Sequence, residues 1–164
     1  EHWRTSNSVQ ALIEAYCKTH YDLRMTGGHR CTVRIGQPSP LPLQAFLSNM
    51  QSAFLITACN PCSLPLAVIV NRQRMRQLLE HAKTEKLVCL PGVGHVPGQV
   101  WRESFLLLAG SESHKIDSFA RQFEQNAVVH LHANRPPRLR LYRADWLLDP
   151  PHTQHIDWVA NVPV

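Results

Sequence analysis

The sequence predicts a single α/β (α+β) domain in which helices flank a mixed β-sheet. The chain has 164 residues, of which 44% are hydrophobic and 18% are charged. This composition is typical of a globular protein that folds on one core. Helical and strand-like segments alternate in the order α-β-β-α-β-α-β-β-α-β-β, without an internal repeat, which favours helices packed against a sheet. We expect the domain to cover residues 1–148 and a proline-containing tail to cover residues 149–164.

Each element is predicted from the spacing of its apolar residues. Apolar residues three and four positions apart indicate helices, whereas alternating or continuous apolar runs indicate strands. Glycine, proline and asparagine mark the turns between them. In chain order, the predicted elements are a helix around 9–16, a hairpin of strands 21–25 and 31–35, a helix over 43–50, a strand over 53–58, a helix around 75–82, strands over 86–90 and 104–109, a helix around 116–123, and strands over 127–132 and 139–142.

The strand predicted over 53–58 is continuously apolar except for Thr57, which is typical of a central strand covered on both faces. Asn60-Pro61 ends this run. Ligands of α/β sheets bind beyond the ends of strands, so this strand end is the predicted site. Thr57 and Ser63 add hydroxyl groups to it, and Asn60 adds an amide that both donates and accepts hydrogen bonds.

Two proline-containing segments are predicted to be irregular. The segment 91–98 holds two prolines and three glycines and is expected to be a loop. Its glycines do not follow the Gly-x-Gly-x-x-Gly spacing of a phosphate-binding loop, and no helix is predicted after it. Asn134-Arg135-Pro136-Pro137 is expected to be the turn between the last two strands.

Net charge and cysteine usage restrict the partners and the compartment. The formal net charge is +5, from 17 Lys and Arg and 12 Asp and Glu, and the arginines are scattered along the chain. A nucleic-acid interface needs its positive charge in one patch, so nucleic acid is disfavoured.

No apolar stretch reaches the ~18 residues of a membrane span, so we expect no membrane partner. Five cysteines, an odd number, suit a reducing compartment, and we expect a cytoplasmic protein.

Glu103 is the candidate catalytic residue because it lies between a glycine-rich segment and a strongly apolar strand. A carboxylate in that position can bind a cation, pair with an arginine or act as a base. The nearest other carboxylates, Asp117 and Glu124, are predicted to lie on a helix surface. Gln125 and Asn126 lie at a helix-to-strand junction, where two amides satisfy backbone groups or orient a ligand.

Cys59-Asn-Pro-Cys62 is a Cys-x-x-Cys motif that follows a strand, which indicates a redox dithiol as an alternative. Pro65 delays the helix that a thioredoxin-like site needs directly after the motif. No second cysteine pair has the spacing of a zinc site. His130 and His132 share one strand face, but a third ligand cannot be named, so no metal is predicted. The sequence identifies no cofactor.

Seven short segments follow one another in a specific order. They are Glu14-Ala15-Tyr16, Arg34-Ile35-Gly36-Gln37-Pro38-Ser39, residues 56–63 (Ile-Thr-Ala-x-Asn-Pro-x-Ser), Asn71-Arg72-Gln73-Arg74, Leu90-Pro91-Gly92-Val93-Gly94, Trp101-Arg102-Glu103-Ser104 and residues 123–129 (Phe-x-Gln-Asn-Ala-x-Val). In these segments the chain resembles a widespread bacterial family that is known only as a domain of unknown function. The resemblance spans about residues 10–133.

The resemblance implies no activity, but it implies a shared set of polar positions. They are Arg34, Thr57, Asn60, Ser63, Asn71, Arg74, Glu103, Gln125 and Asn126. Because these positions come from separate segments, the resemblance implies that they converge at one edge of the sheet. The family has a large aromatic residue at the position of Cys59, and Cys62, His130 and His132 are not among its features. The resemblance therefore lowers the weight of the thiol and metal alternatives.

The predicted function is the binding of a small anionic or nucleotide-like ligand at the strand ends. In this hypothesis Arg34 and Arg74 hold the anion, and the amides of Asn60 and of the helix-to-strand junction orient the ligand. Glu103 is the acid–base candidate and is expected to share one concave pocket with Asn60. Whether a reaction is catalysed stays open.

Two alternatives also stay open. The first is a non-catalytic regulatory or interaction module, in which the polar residues tie loops to the sheet and the basic strand 138–143 contacts an acidic partner or RNA. Alternation places Arg138 and Arg140 on one strand face and Leu139 and Leu141 on the other. The second is a thiol redox activity at the Cys-x-x-Cys motif. The sequence leaves the oligomeric state open.

Overall fold

A computed structural model describes residues 2–146, 148 and 154–159, with side chains from residue 9 onward. The described residues form four α-helices, one short 3-10 turn and eight strands. The elements are α1 (His2–Lys18), β1 (His20–Arg24), β2 (Arg30–Val33), α2 (Leu41–Met50), β3 (Ser52–Ile56), the 3-10 turn (Pro61–Ser63), α3 (Val68–Thr84), β4 (Val88–His95), β5 (Arg102–Ala109), α4 (Ser113–Gln122), β6 (Ala127–His132), β7 (Arg135–Leu141) and β8 (Ile156–Trp158).

The described strands form one sheet in the order β2-β1-β4-β5-β3-β6-β7-β8. The neighbouring pairs are antiparallel except for β7 and β8, which run parallel and make the sheet mixed. The predicted α+β domain with a mixed sheet and flanking helices is therefore confirmed. Up to β7 the elements also follow the predicted order. None of the described helices has both the length and the apolar content needed to cross a membrane.

β8 is an additional strand within the segment that the sequence assigns to a tail. Its residue Ile156 pairs with Leu139 of β7, and Trp158 pairs with Leu141. The tail residues 149–153 and 160–164 lie outside the described residues. The domain boundary at residue 148 stays a prediction.

β3 is a central strand whose two faces are both covered. Ala53 and Leu55 face the core beneath α1 and α2, and Phe54 and Ile56 face the core beneath α3 and α4. All four side chains are buried. β3 pairs with β5 on one side and with β6 on the other. Its carboxyl end at Ile56 therefore lies near the middle of the sheet, where neighbouring strands supply further side chains.

The loop predicted over 91–98 is wrong in its first half, because β4 continues to His95 and pairs with both β1 and β5. The physical reason is close packing at Gly92. A Cβ added there would collide with the ring of Phe105 and lie 2.6 Å from the carbonyl oxygen of Asp22. Glycine in this segment therefore marks a close approach inside a strand and not a loop.

The turn predicted over 134–137 is shorter than expected, since β7 begins at Arg135. Pro136 and Pro137 lie at a register shift between β6 and β7, where the ladder needs no N–H from them. Beyond the prolines, the alternation is as predicted, with leucines buried on one face and arginines half-buried on the other.

Gly92→Ala is expected to lower the free energy of unfolding by about 2 kcal/mol, because the methyl group forces Phe105 and the β1 backbone apart. Gly94→Ala is the matched control on the same strand. Its added Cβ would meet Thr19 Cγ2 at 3.3 Å and needs only a small shift. Urea unfolding of both variants checks this result, and equal losses of stability would contradict the close approach at Gly92.

Candidate functional site

The strand end, that is, the segment 57–63 directly after β3, has an unusual backbone conformation. Asn60, Cys62 and Ser63 have φ angles of 48°, 53° and 62°, in the left-handed region. Residues other than glycine rarely adopt this region, and each instance costs about 1 kcal/mol or more unless neighbouring groups fix it. Asparagine tolerates it best. The segment therefore depends on its hydrogen bonds to keep its shape.

Arg74 of α3 supplies the strongest of these restraints. Its Nε donates to the carbonyl oxygen of Ala58 at 2.6 Å, and its Nη2 donates to that of Phe123 at 2.6 Å. Gln125 adds a hydrogen bond from Nε2 to the carbonyl oxygen of Cys59 at 2.9 Å. These contacts join the strand end to α3 and to the end of α4.

Asn126 and Ser63 form a second restraint on the other side of the turn. Asn126 is buried, and its Nδ2 donates to the Ser63 hydroxyl at 2.9 Å. Its Oδ1 accepts a hydrogen bond from Arg143 Nη1 at 3.3 Å. The backbone N–H of Cys62 donates to the carbonyl oxygen of Glu124 at 2.7 Å. Hydrogen bonds thus hold two of the three strained residues, Cys62 and Ser63.

Asn71, Asn60 and Glu103 form a chain of side-chain hydrogen bonds. Asn71 Nδ2 donates to Asn60 Oδ1 at 2.8 Å, and the Asn60 backbone N–H donates back to Asn71 Oδ1 at 3.0 Å. Asn60 Nδ2 then donates to Glu103 Oε2 at 2.8 Å. Because Asn71 holds the Asn60 Oδ1, the amide nitrogen of Asn60 faces the carboxylate and fixes the position of Oε2.

The Glu103–Asn60 pair forms part of the wall of a cleft of about 460 Å³ between α1 and the strand ends. Glu103 and Phe105 project into it from the same face of β5, since they are two residues apart. The sequence-predicted residues that line the cleft are Thr57, Asn60, Ser63, Glu103 and Gln125. Five of the nine predicted positions are therefore brought together, including the two that were expected in one pocket.

The remaining wall includes four aromatic residues that were not among the predicted site residues. The aromatic residues of the cleft are Tyr16 from α1, Tyr21 from β1, Trp101 directly before β5 and Phe105 within β5. The spacing of Tyr16 assigned it to an apolar helix stripe, but a tyrosine hydroxyl needs a polar partner when it is buried. That requirement is the sequence signal that could have identified it.

Burial in the cleft changes the acidity of Glu103. Burial raises its pKa from the ordinary 4.5 to about 7, and the hydrogen bond from Asn60 opposes part of this rise. Burial also raises the pKa of Tyr16 to about 12; a hydrogen bond with Ser63 lowers it, and the charge of Glu103 raises it. Near neutral pH, Glu103 therefore populates both protonation states, as an acid–base group must, while Tyr16 stays neutral.

Four of the predicted positions lie outside the cleft lining. Arg34 is exposed and borders a separate groove together with Glu14 and His155. Arg74, Asn71 and Asn126 use their hydrogen bonds to hold the strand end, as described above. These three residues hold the backbone of the site in place and do not line the cleft.

The two cysteines of the Cys-x-x-Cys motif differ in environment. Both are free thiols; Cys59 is buried and Cys62 is exposed. Burial raises the pKa of the Cys59 thiol, which disfavours the thiolate that redox chemistry requires. The thiol hypothesis stays a prediction.

His130 packs as a neutral ring. It stacks on Phe54 with ring centroids 4.5 Å apart, and burial together with the charges of Arg135 and Arg140 lowers its pKa to about 4. Among the described side chains, in 9–146, 148 and 154–159, no three His, Cys, Asp or Glu residues are grouped so that they could hold a metal ion.

The basic strand that was predicted to meet an acidic partner is paired within the chain. Three guanidinium groups each donate two hydrogen bonds of 2.7–3.0 Å to one carboxylate, in the pairs Arg138–Asp157, Arg140–Asp117 and Arg143–Asp145. Asp117 was expected on a helix surface, but it is buried, and it also accepts a hydrogen bond from the Tyr142 hydroxyl at 2.6 Å. The interaction-module hypothesis stays a prediction, but it loses these free charges as its basis.

Residues 56–128 match the profile of a family described as Protein of unknown function (DUF3293). The chain is thus similar to this family from the end of β3 into β6, and the match assigns no activity. The matched range contains Thr57, Asn60, Ser63, Asn71, Arg74, Glu103, Gln125 and Asn126. Arg34 and the tyrosines of the cleft precede it. No curated protein and no solved structure matches the chain.

Proposed function

We propose that the cleft binds a small, largely apolar molecule and that Glu103 exchanges a proton with it. The observation that carries this proposal is the Glu103–Asn60 hydrogen bond of 2.8 Å in the wall of a cleft with a mainly aliphatic and aromatic lining. Apolar clefts with a few convergent polar groups are the usual form of small-molecule sites. A carboxyl group whose pKa is shifted toward neutrality marks such a cleft as a functional candidate.

Asn60 is a positioning residue in this proposal. It holds Oε2 of Glu103, and Asn71 in turn holds Asn60. The hydrogen bond favours the ionised carboxylate, while burial favours the neutral acid. Their balance allows Glu103 to donate a proton to a bound molecule or to accept one from it.

The ligand in this proposal carries no negative charge. The expectation of an anionic or nucleotide-like ligand depended on Arg34 and Arg74. The Arg74 guanidinium donates to backbone carbonyls, and Arg34 borders a different groove. A carboxylate in the cleft wall would also repel an anion. Bacterial origin and a cytoplasmic location remain expectations from the sequence.

Binding of phenethyl alcohol, a small neutral aromatic probe, tests the proposal. We expect a dissociation constant on the order of 1 mM, which is usual for a compound of this size. Two-dimensional NMR should show shifts at the backbone amides of Tyr16, Asn60 and Glu103. Ala15→Trp fills the cleft from an exposed position of α1 and should abolish these shifts.

Ala11→Trp is the matched control, because Ala11 is exposed on the same helix and does not line the cleft. It should bind the probe as the unaltered protein does. Shifts that persist in the Ala15→Trp variant, or that map to another surface, would overturn the proposed site.

A further inference from the structure

We infer that the cleft selects an organic cation, that is, an ammonium group carried on an aromatic or aliphatic body. This inference deepens the proposed function and rests on it. It concerns the charge of the ligand, which the proposal above restricts only by excluding anions.

The charge of the lining is the first argument. Among the described side chains, Glu103 is the only carboxylate in the lining, and none of the lining residues is a lysine, arginine or histidine. The other titratable lining groups are Tyr16 and Tyr21, whose pKa values burial raises, so both stay uncharged. A cation therefore meets a negative charge here with no competing positive charge from the described lining.

The second argument is the hydrogen bonding of the carboxylate. Asn60 occupies Oε2 of Glu103. No donor among the described residues is bonded to Oε1 of Glu103. This oxygen is accessible to solvent. It is therefore open to the cleft. An ammonium N–H is the donor that binds an ionised carboxylate most strongly.

The third argument is the aromatic wall. Tyr16, Tyr21, Trp101 and Phe105 all line the cleft, and the rings of Tyr21 and Phe105 pack edge to face with centroids 5.8 Å apart. The faces of aromatic rings attract cations within about 6 Å, and several rings around one site are a recurrent way to bind an ammonium group. The same rings also cover the apolar body of the ligand.

Three probes with one carbon skeleton test the inference. They are phenethylamine, phenethyl alcohol and hydrocinnamate, which are cationic, neutral and anionic. At about pH 8, where Glu103 is mostly ionised, the amine should bind about tenfold more tightly than the alcohol, and hydrocinnamate should bind least. Calorimetry or NMR titration gives the three affinities.

Glu103→Gln should remove the preference. The amine should lose about tenfold in affinity and then bind no more tightly than the alcohol binds to the same variant. Urea unfolding of the variant shows independently that it is folded. Glu14→Gln is the matched control, because Glu14 is an exposed residue of α1 outside the cleft lining. It should leave the preference for the amine unchanged.

The outcomes separate the two levels of the proposal. If the alcohol or hydrocinnamate binds as tightly as the amine, or if Glu103→Gln keeps the preference, the cationic class is wrong and the cleft remains a binding site. If none of the three probes binds, both the inference and the proposed function fail.

Discussion

Glu103→Gln raises the free energy of unfolding by about 2 kcal/mol at about pH 8, although it replaces a residue of the proposed site. The reason is the burial of the carboxylate charge. Glutamine has almost the same shape, keeps an oxygen that accepts from Asn60, and carries no charge at any pH. The size of the gain in free energy of unfolding follows from the rise of the Glu103 pKa from 4.5 to about 7. We reduce the corresponding free energy because the side chain is partly exposed to solvent.

The gain depends on pH in a defined direction. The folded protein binds the Glu103 proton more tightly than the unfolded chain does, because the pKa is higher in the folded state. This contribution to stability is fully present below about pH 4.5 and is lost as the pH rises through about 7. The difference in free energy of unfolding between the variant and the unaltered protein should therefore be near zero in acid and largest above neutral pH.

The other titratable groups facing Glu103 do not contribute to this pH dependence of stability. They are Tyr16, Tyr21 and Cys59, and burial raises the pKa of each, so all stay protonated across this range. Urea unfolding at about pH 4 and about pH 8 measures the effect. Glu80→Gln, at an exposed position of α3, is the control and should show no such pH dependence. An equal effect of Glu103→Gln at both pH values would show that the carboxyl group is not held in the buried state described here.

Asp117→Asn lowers the free energy of unfolding by about 3 kcal/mol. Asp117 is buried and accepts two hydrogen bonds from Arg140, at 2.8 and 2.7 Å, and one from Tyr142 at 2.6 Å. Removing its charge leaves a half-buried guanidinium without its counter-ion. Asp145→Asn is the matched control, because the Asp145–Arg143 pair has similar distances but is exposed. Exposed pairs contribute less than about 1 kcal/mol, so this variant should change little.

The effect of Asp117→Asn also has a pH signature. Burial raises the pKa of Asp117, but the hydrogen bonds from Arg140 and Tyr142 outweigh burial and lower it below its ordinary value of 3.8. The stabilisation is therefore present above about pH 4 and is lost as the pH falls through the folded-state pKa. Urea unfolding of both variants at neutral and acidic pH measures it. Equal losses for the buried and exposed pairs at neutral pH would contradict the role assigned to Asp117.

Local patterns were sufficient to predict the order of the elements up to β7 and the position of the central strand. The run that ends at Asn60 is apolar over successive residues, and burial on both faces explains that pattern. The proximity of Asn60 and Glu103 could also be anticipated, because both lie at strand ends. These features depend on neighbours in the chain or on a general property of sheets.

The features that the sequence did not predict depend on distant residues. Gly92 belongs to a strand because Phe105 and the β1 backbone occupy the space of its missing side chain. Asp117 is buried because Arg140 and Tyr142, more than a helix length away in the chain, reach it. Arg74 donates to backbone carbonyl oxygens, which accept hydrogen bonds from a guanidinium just as the oxygens of an anion do. No local pattern distinguishes these cases.

The contribution of α1 to the cleft links the first helix to the site. Leu12, Ala15 and Tyr16 form one wall, while the opposite wall comes from the sheet. A ligand that contacts both walls must bind more tightly when the helix is docked than when it is displaced. By thermodynamic linkage, occupancy of the cleft and docking of α1 favour each other to the same extent. A ligand bound in the cleft would therefore stabilise the docked position of the helix.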